Sequence, residues 1–222
     1  MADTDAIANA SPLPPFICLS DLIREHAQRA PNAPALSGVE QVIIYAELDA
    51  LMDRVAASLQ RDGLRLGDVV SLCAAASVRY AAVFLGALRA GVVVAPLAPS
   101  STAISLLSML GDAQAQLFFI DDDAAKLLDA EPQTHGRLPP RIALDDGAHG
   151  RQFEDWLVDE YAKPMPVDVP AQHPFNIIYS SGTTGTPKGI VQSHTMRWAH
   201  IQRASIYAYG HDSVTLLATP LY

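Results

Sequence analysis

Ser180, Ser181, Gly182, Thr183, Thr184, Gly185, Thr186, Pro187, Lys188 and Gly189 form one uninterrupted run with the makings of an anion cradle. Its three glycines permit positive φ and let backbone approach a ligand closely. Successive N–H groups in such turns form a concave nest for anions. Five hydroxyl side chains can donate to phosphate oxygens. Lys188 adds a compact, mobile positive charge. Pro187 removes one donor and stiffens the turn ahead of the lysine. The set suits a polyphosphate chain better than a single phosphate or a sugar.

The run is not a Walker loop. That pattern needs glycine five residues after Gly182 and a hydroxyl residue after the lysine, where this chain has Pro187 and Gly189. The run also lies between two apolar segments rather than opening a helix, so no helix dipole assists it. Binding then rests on hydroxyls, backbone N–H groups, Lys188 and a metal ligand from elsewhere. A flexible Gly/Thr linker is the plainer alternative. The fixed order between apolar runs, closing on Pro-Lys-Gly, argues against it.

The flanking elements follow from hydrophobic period. Phe175–Tyr179 reads as a buried strand ahead of the run and Gly189–Gln192 as a strand after it. A helix follows over Thr195–Tyr209, capped by Ser193 and stopped by Gly210. Val214–Ala218 reads as a last strand. Upstream, Cys18–Ala30 is helical with Ser20 as N-cap, Gln41–Tyr45 extended and Ala46–Gln60 strongly helical. Strand and helix then alternate. Val69–Ala74, Val92–Ala95, Leu117–Ile120 and Ile142–Leu144 are strands. Val78–Ala90, Thr102–Asp112 and Ala124–Leu128 are helices. Val78, Ala81, Leu85 and Leu88 should form one stripe. Strands buried on both faces and alternating with helices predict a doubly wound, mostly parallel α/β sheet. Residues 131–174 are proline-rich and read as a surface connection with one small helix near Phe153–Val158. Residues 1–15 read as a loose arm. Residues 16–222 form the folded part, with the anion-binding run inside 170–222.

The chain has 222 residues, 50% hydrophobic and 18% charged, enough for a core and too little charge for disorder. Its net charge of −9 argues against a nucleic-acid partner. From Ala171 onward Lys188, Arg197 and Arg203 against Asp212 leave +2, so the preceding 170 residues carry −11. The anion-binding run thus falls where an anion meets no net negative field. No long uncharged apolar run predicts a membrane span, and the start lacks a secretory pattern. Cys18 and Cys73 read as reduced, buried thiols, and the expected compartment is cytoplasmic.

Tyr179 through Gly189 resembles the signature of the adenylate-forming superfamily of acyl-CoA synthetases, peptide-synthetase adenylation domains and firefly-type luciferases. Leu88-Arg89-Ala90-Gly91-Val92-Val93-Val94-Ala95-Pro96-Leu97 is similar to the family's helix-to-strand segment. Leu217-Ala218-Thr219-Pro220-Leu221-Tyr222 is similar to the opening of a later motif. The resemblance runs from about Ser20 to the end. It implies the amino-terminal portion of the large domain. It also implies activation of a carboxylate with ATP, release of pyrophosphate, and transfer of the acyl group to a thiol, usually coenzyme A.

By that resemblance Ser180, Ser181, Gly182, Thr183, Thr184, Gly185 and Lys188 contact the ATP phosphates. The Thr183-Thr184 pairing leans toward acyl-CoA ligases. His194 and Trp198 are candidates for the substrate side, with a backbone-satisfied histidine and a core tryptophan as the alternatives. Family members are more than twice this length. The magnesium ligand, the nucleoside-binding segments and the small C-terminal domain with its adenylation lysine are therefore expected downstream of Tyr222. A fragment inactive by itself is the corresponding expectation. The competing readings are a non-catalytic nucleotide-binding or interaction fragment and a peptide-synthetase adenylation domain. Asp121-Asp122-Asp123 reads as a helix cap rather than a magnesium site. No metal site is assigned, and Arg197 and Arg203 read as solvated.

Overall fold

A computed structural model describes residues 15–38, 41–131, 138–180, 187–210 and 212–217. The arm expected over residues 1–15 lies, apart from Pro15, outside them. Helix α1 (Leu19–Arg29) is followed by strands β1 (Pro34–Ser37) and β2 (Val42–Ile44) and helix α2 (Tyr45–Arg61). The alternating part contains β3 (Val69–Cys73), α3 (Val78–Arg89), β4 (Val93–Pro96), α4 (Ala103–Ala113), β5 (Leu117–Ile120), α5 (Asp122–Asp129) and β6 (Arg141–Ala143). Then come β7 (Arg151–Gln152), α6 (Phe153–Trp156), β8 (Pro174–Ser180), β9 (Lys188–Ser193) and α7 (His194–Arg203), which runs into a 3-10 turn at Ala204–Tyr207.

Seven strands form one sheet in the order β7-β6-β5-β3-β4-β8-β9, and β1 and β2 pair separately as an antiparallel ribbon. Every neighbouring pair in the large sheet is parallel except β8 with β9. The expected doubly wound, mostly parallel α/β sheet is what the chain forms. Its alternation follows from the pleat. Val70, Leu72, Val94, Leu117 and Phe119 pack beneath α2 and α3, while Cys73, Phe118 and Ile120 pack against α4 and α5.

Local chemistry starts the helices. Ser77 Oγ accepts the Tyr80 N–H at 3.1 Å and Thr102 Oγ1 that of Ser105 at 3.2 Å. Asp121 Oδ1 accepts the Ala124 N–H at 3.0 Å, so the first residue of the acidic triplet caps α5. Gln114, at φ 52°, ends α4 in the left-handed region.

Several readings differ from the observed fold, among them the helix expected to reach Tyr209, since α7 ends at Arg203. Ser20 is not the cap of α1: the cap position is Cys18, and Ser20 lies in the first turn with its hydroxyl donating to Cys18 Sγ at 3.5 Å. α3 does not follow the expected stripe: Val78 and Leu88 are buried but Ala81 and Leu85 only partly, while Tyr80, Ala82, Val83 and Gly86 are covered. α3 packs against both the sheet and α2. Residues 213–217 form no strand, and Val214 and Leu216 are 97% and 88% exposed. An extended run becomes a strand only where a neighbour completes its hydrogen bonds, and none adjoins this one among the described residues.

Candidate functional site

The predicted anion-binding run connects two hydrogen-bonded strand ends. β8 and β9 pair antiparallel, with Tyr179 opposite Gly189 and Ser180 opposite Lys188. β8 runs parallel to β4, so Ser180 lies at the carboxyl edge of the parallel strands. In open α/β sheets this is the edge where ligands bind. The strand-to-strand setting expected from the sequence is therefore present: β8 ends at Ser180 and β9 begins at Lys188. Ser180, Lys188 and Gly189 are exposed there. Ser181, Gly182, Thr183, Thr184, Gly185 and Thr186 lie outside the described residues.

Two residues that spacing alone did not single out hold this end of the hairpin. The Tyr179 hydroxyl lies 2.7 Å from Asp112 Oδ2 and 3.2 Å from the Met109 carbonyl, both on α4. Burial, then the hydrogen bond and charge of Asp112, push the Tyr179 phenol above its usual range and keep it a donor. Gly189 crosses the same spot. A Cβ there would lie 3.0 Å from Ile177 Cγ2, 3.2 Å from Asp112 Oδ2 and 3.3 Å from Tyr179 Cε1. Glycine is thus used here for close approach. Tyr179 was visible in the signature, but nothing local marks Asp112, 67 residues earlier.

His194 and Trp198 sit elsewhere. Ser193 pairs with Pro174 at the other end of the hairpin. The length of β9 separates His194 from Lys188 by roughly 20 Å at strand rise. His194 is 3% exposed, with its Nδ1 3.6 Å from Cys18 Sγ and its ring 5.0 Å from that of Phe175. Burial, then the charge of nearby His173, lowers its imidazole to about 4. Its backbone N–H donates to the His173 carbonyl at 3.0 Å. Trp198 is buried, edge-on to Phe16 at 6.5 Å. The structure therefore brings Ser180 and Lys188 together and does not join His194 or Trp198 to them. Arg203 is exposed as read, but Arg197 lies 5.7 Å over the Phe175 ring with burial lowering its pKa. Among the described residues, no group of three or more His, Cys, Asp or Glu is disposed to hold a metal ion.

These features can neutralise and orient an anion at an exposed sheet edge. A family model described as AMP-binding enzyme matches residues 23–222. A fatty acid–[acyl-carrier-protein] ligase, ScoC of Streptomyces coeruleorubidus, is 31% identical over 170 residues, covering 76% of this chain and 31% of that protein. The nonribosomal peptide synthetase vlms of a Lecanicillium species is 32% identical over 207 residues, covering 90% of this chain and 2% of that protein. Among solved structures, a Rhodopseudomonas palustris protein assigned as a long-chain-fatty-acid CoA ligase superposes with a TM-score of 0.80. It is 21% identical and covers 93% of this chain and 52% of that one, a likeness of fold. The chain thus spans about half of that structure and less of the two curated relatives.

Proposed function

The chain belongs to the AMP-binding enzyme family, and from that premise we propose that it supplies the ATP-phosphate-binding part of a carboxylate-activating ligase. The observation that carries this is the run of glycines, hydroxyls and Lys188 mounted between the paired ends of β8 and β9 at the carboxyl edge of the sheet. In the proposed reaction a substrate carboxylate oxygen attacks the α-phosphorus of ATP. The bond to the bridging oxygen breaks, and acyl-AMP and pyrophosphate result.

This chain's residues act on the leaving group. Lys188 and the Ser180 hydroxyl face the β- and γ-phosphates, joined by Ser181, Gly182, Thr183, Thr184 and Gly185. Their task is positioning and charge stabilisation rather than covalent catalysis. Mg2+ accompanying ATP would take its protein ligand from outside the described residues. His194 and Trp198, packed on Phe16 and Cys18, would act only through the scaffold that holds β9.

The acyl acceptor we propose is coenzyme A, supported by the Thr183-Thr184 pairing. A carrier-protein thiol is the second reading, favoured by the names of the two curated relatives, a carrier-protein ligase and a peptide synthetase. The test is ATP–pyrophosphate exchange by the full-length parent across a panel of carboxylates, with Lys188→Ala alongside. Loss of one such phosphate contact should slow exchange by about 100-fold. Unchanged exchange removes Lys188 from the site. Product formed with coenzyme A against a phosphopantetheinylated carrier protein separates the acceptors.

A further inference from the structure

We propose that Asp112 is a positioning residue for the anion-binding run: from α4 it anchors the end of β8 through Tyr179, with Gly189 of β9 passing close over it, and thereby sets where Ser180 and Lys188 stand. One hydrogen bond and one close backbone approach converge on its carboxylate. The Tyr179 hydroxyl donates to Oδ2 at 2.7 Å from the outgoing strand. Gly189 passes over the same oxygen on the returning strand, close enough that a Cβ would stand 3.2 Å away. Ser180 and Lys188 are the next residues on each strand and lie opposite one another. The second acceptor within reach of the hydroxyl, the Met109 carbonyl at 3.2 Å, belongs to the same helix. The clamp is thus α4 against the hairpin.

Helix stability gives no reason for an acid here. Asp112 falls in the last turn of α4, where the helix dipole disfavours negative charge, and that turn holds no basic residue to offset it. Asp112 is exposed, so it fills no core volume either. What remains is its bond to Tyr179 and its seat under Gly189. That the clamp serves a triphosphate rests on the proposed function. That it fixes the strand ends does not.

The Lys188–Gly189 peptide bond is a trypsin site placed at the clamp, and its cleavage in the nucleotide-free chain reports how often this end opens. Asp112→Ala and Tyr179→Phe should each raise the cleavage rate by about fivefold, the worth of one ordinary hydrogen bond. Asp112→Asn retains an acceptor oxygen and should stay near wild type. Because Tyr179→Phe removes the bonds to both Asp112 and Met109, the double variant Asp112→Ala/Tyr179→Phe should be cleaved no faster than Tyr179→Phe alone. Wild-type rates in both single variants, or multiplicative effects in the double one, overturn the proposal. If Asp112→Ala fails to melt cooperatively, Tyr179→Phe against wild type decides.

A second arm adds Mg·ATP. Protection of the same bond in wild type, with a weaker midpoint in Tyr179→Phe, ties the clamp to the phosphate site. Equal midpoints overturn that tie. No protection even in wild type counts against the phosphate reading and leaves the clamp to the nucleotide-free rates.

Discussion

Cys18 Sγ lies 3.6 Å from His194 Nδ1, joining the residue before α1 to the first residue of α7 across 176 positions of chain. His194 is 3% exposed, and its imidazole is lowered to about 4, first by burial and then by His173. A base whose folded pKa lies below its ordinary 6.5 takes up its proton more readily when unfolded. The contribution is therefore complete above about pH 6.5 and is lost as pH falls toward 4. The unfolding free energy should fall between pH 7 and pH 5 by on the order of 2 kcal/mol more in wild type than in His194→Gln, read from denaturant melts at the two pH values. The same pH slope in both proteins would contradict it.

α2 and α3 cross with no room to spare. A Cβ at Gly86 would stand 2.6 Å from Val55 Cβ, 2.7 Å from Val55 Cγ1 and 3.0 Å from the Met52 carbonyl oxygen. Helix propensity alone makes Gly86→Ala stabilising by up to about 1 kcal/mol. Overpacking against backbone costs about 1–3 kcal/mol and should win. Denaturant unfolding gives the sign, and a stabilised variant would refute the close crossing.

Asp53 on α2 is 2% exposed and binds Arg89 at 2.8 Å, Arg24 at 2.5 Å and Lys163 at 2.8 Å, tying three helices to the segment before β8. Burial pushes its carboxyl up. The Lys163 hydrogen bond and the charges of Arg89 and Arg24 outweigh burial and hold it below the ordinary 3.8. Stability from this group is thus full above pH 3.8 and is lost as pH falls below it. Asp53→Ala leaves Arg89, only 6% exposed in its side chain, with Asp49 as its remaining carboxylate, and should cost about 1–3 kcal/mol. A loss under about 1 kcal/mol in a urea melt at pH 7 would show the network to be dispensable.

Both thiols are buried. Cys73 is pushed up to about 12, first by burial and then by Asp121, and Cys18 is raised, chiefly by burial. Since the thiolate is the reactive form, an aromatic disulfide reagent at pH 8 should label neither while the chain is folded and both in denaturant. Rapid labelling of either in the native protein would show that its covering segment opens.

Much of this architecture is legible in the sequence, because much of it is local. Val69–Cys73 and Leu117–Ile120 are short apolar runs that make sense only as strands covered on both faces. Thr102 and Asp121 announce helix starts by chemistry confined to one turn. β1 carries little signal because it is four residues long and opens on Pro34, and β7 because it is two residues long. Val214–Leu217 misleads because an apolar, β-branched run looks the same whether or not a partner strand adjoins it.

The order of residues from Ser180 to Gly189 already points to the family to which the chain belongs and to the anion-binding chemistry proposed for it, since a short run carries its own donors and backbone freedom. Where that chemistry stands was decided by the sheet. Pairing of β8 with β9 puts Ser180 beside Lys188 at one end and sends His194 to the other, against Cys18. Contact between Asp112 and Tyr179 likewise follows from α4 lying beside β8. Strand register and helix placement are settled by burial of the whole core at once, so no window of sequence around any one of these residues contains them.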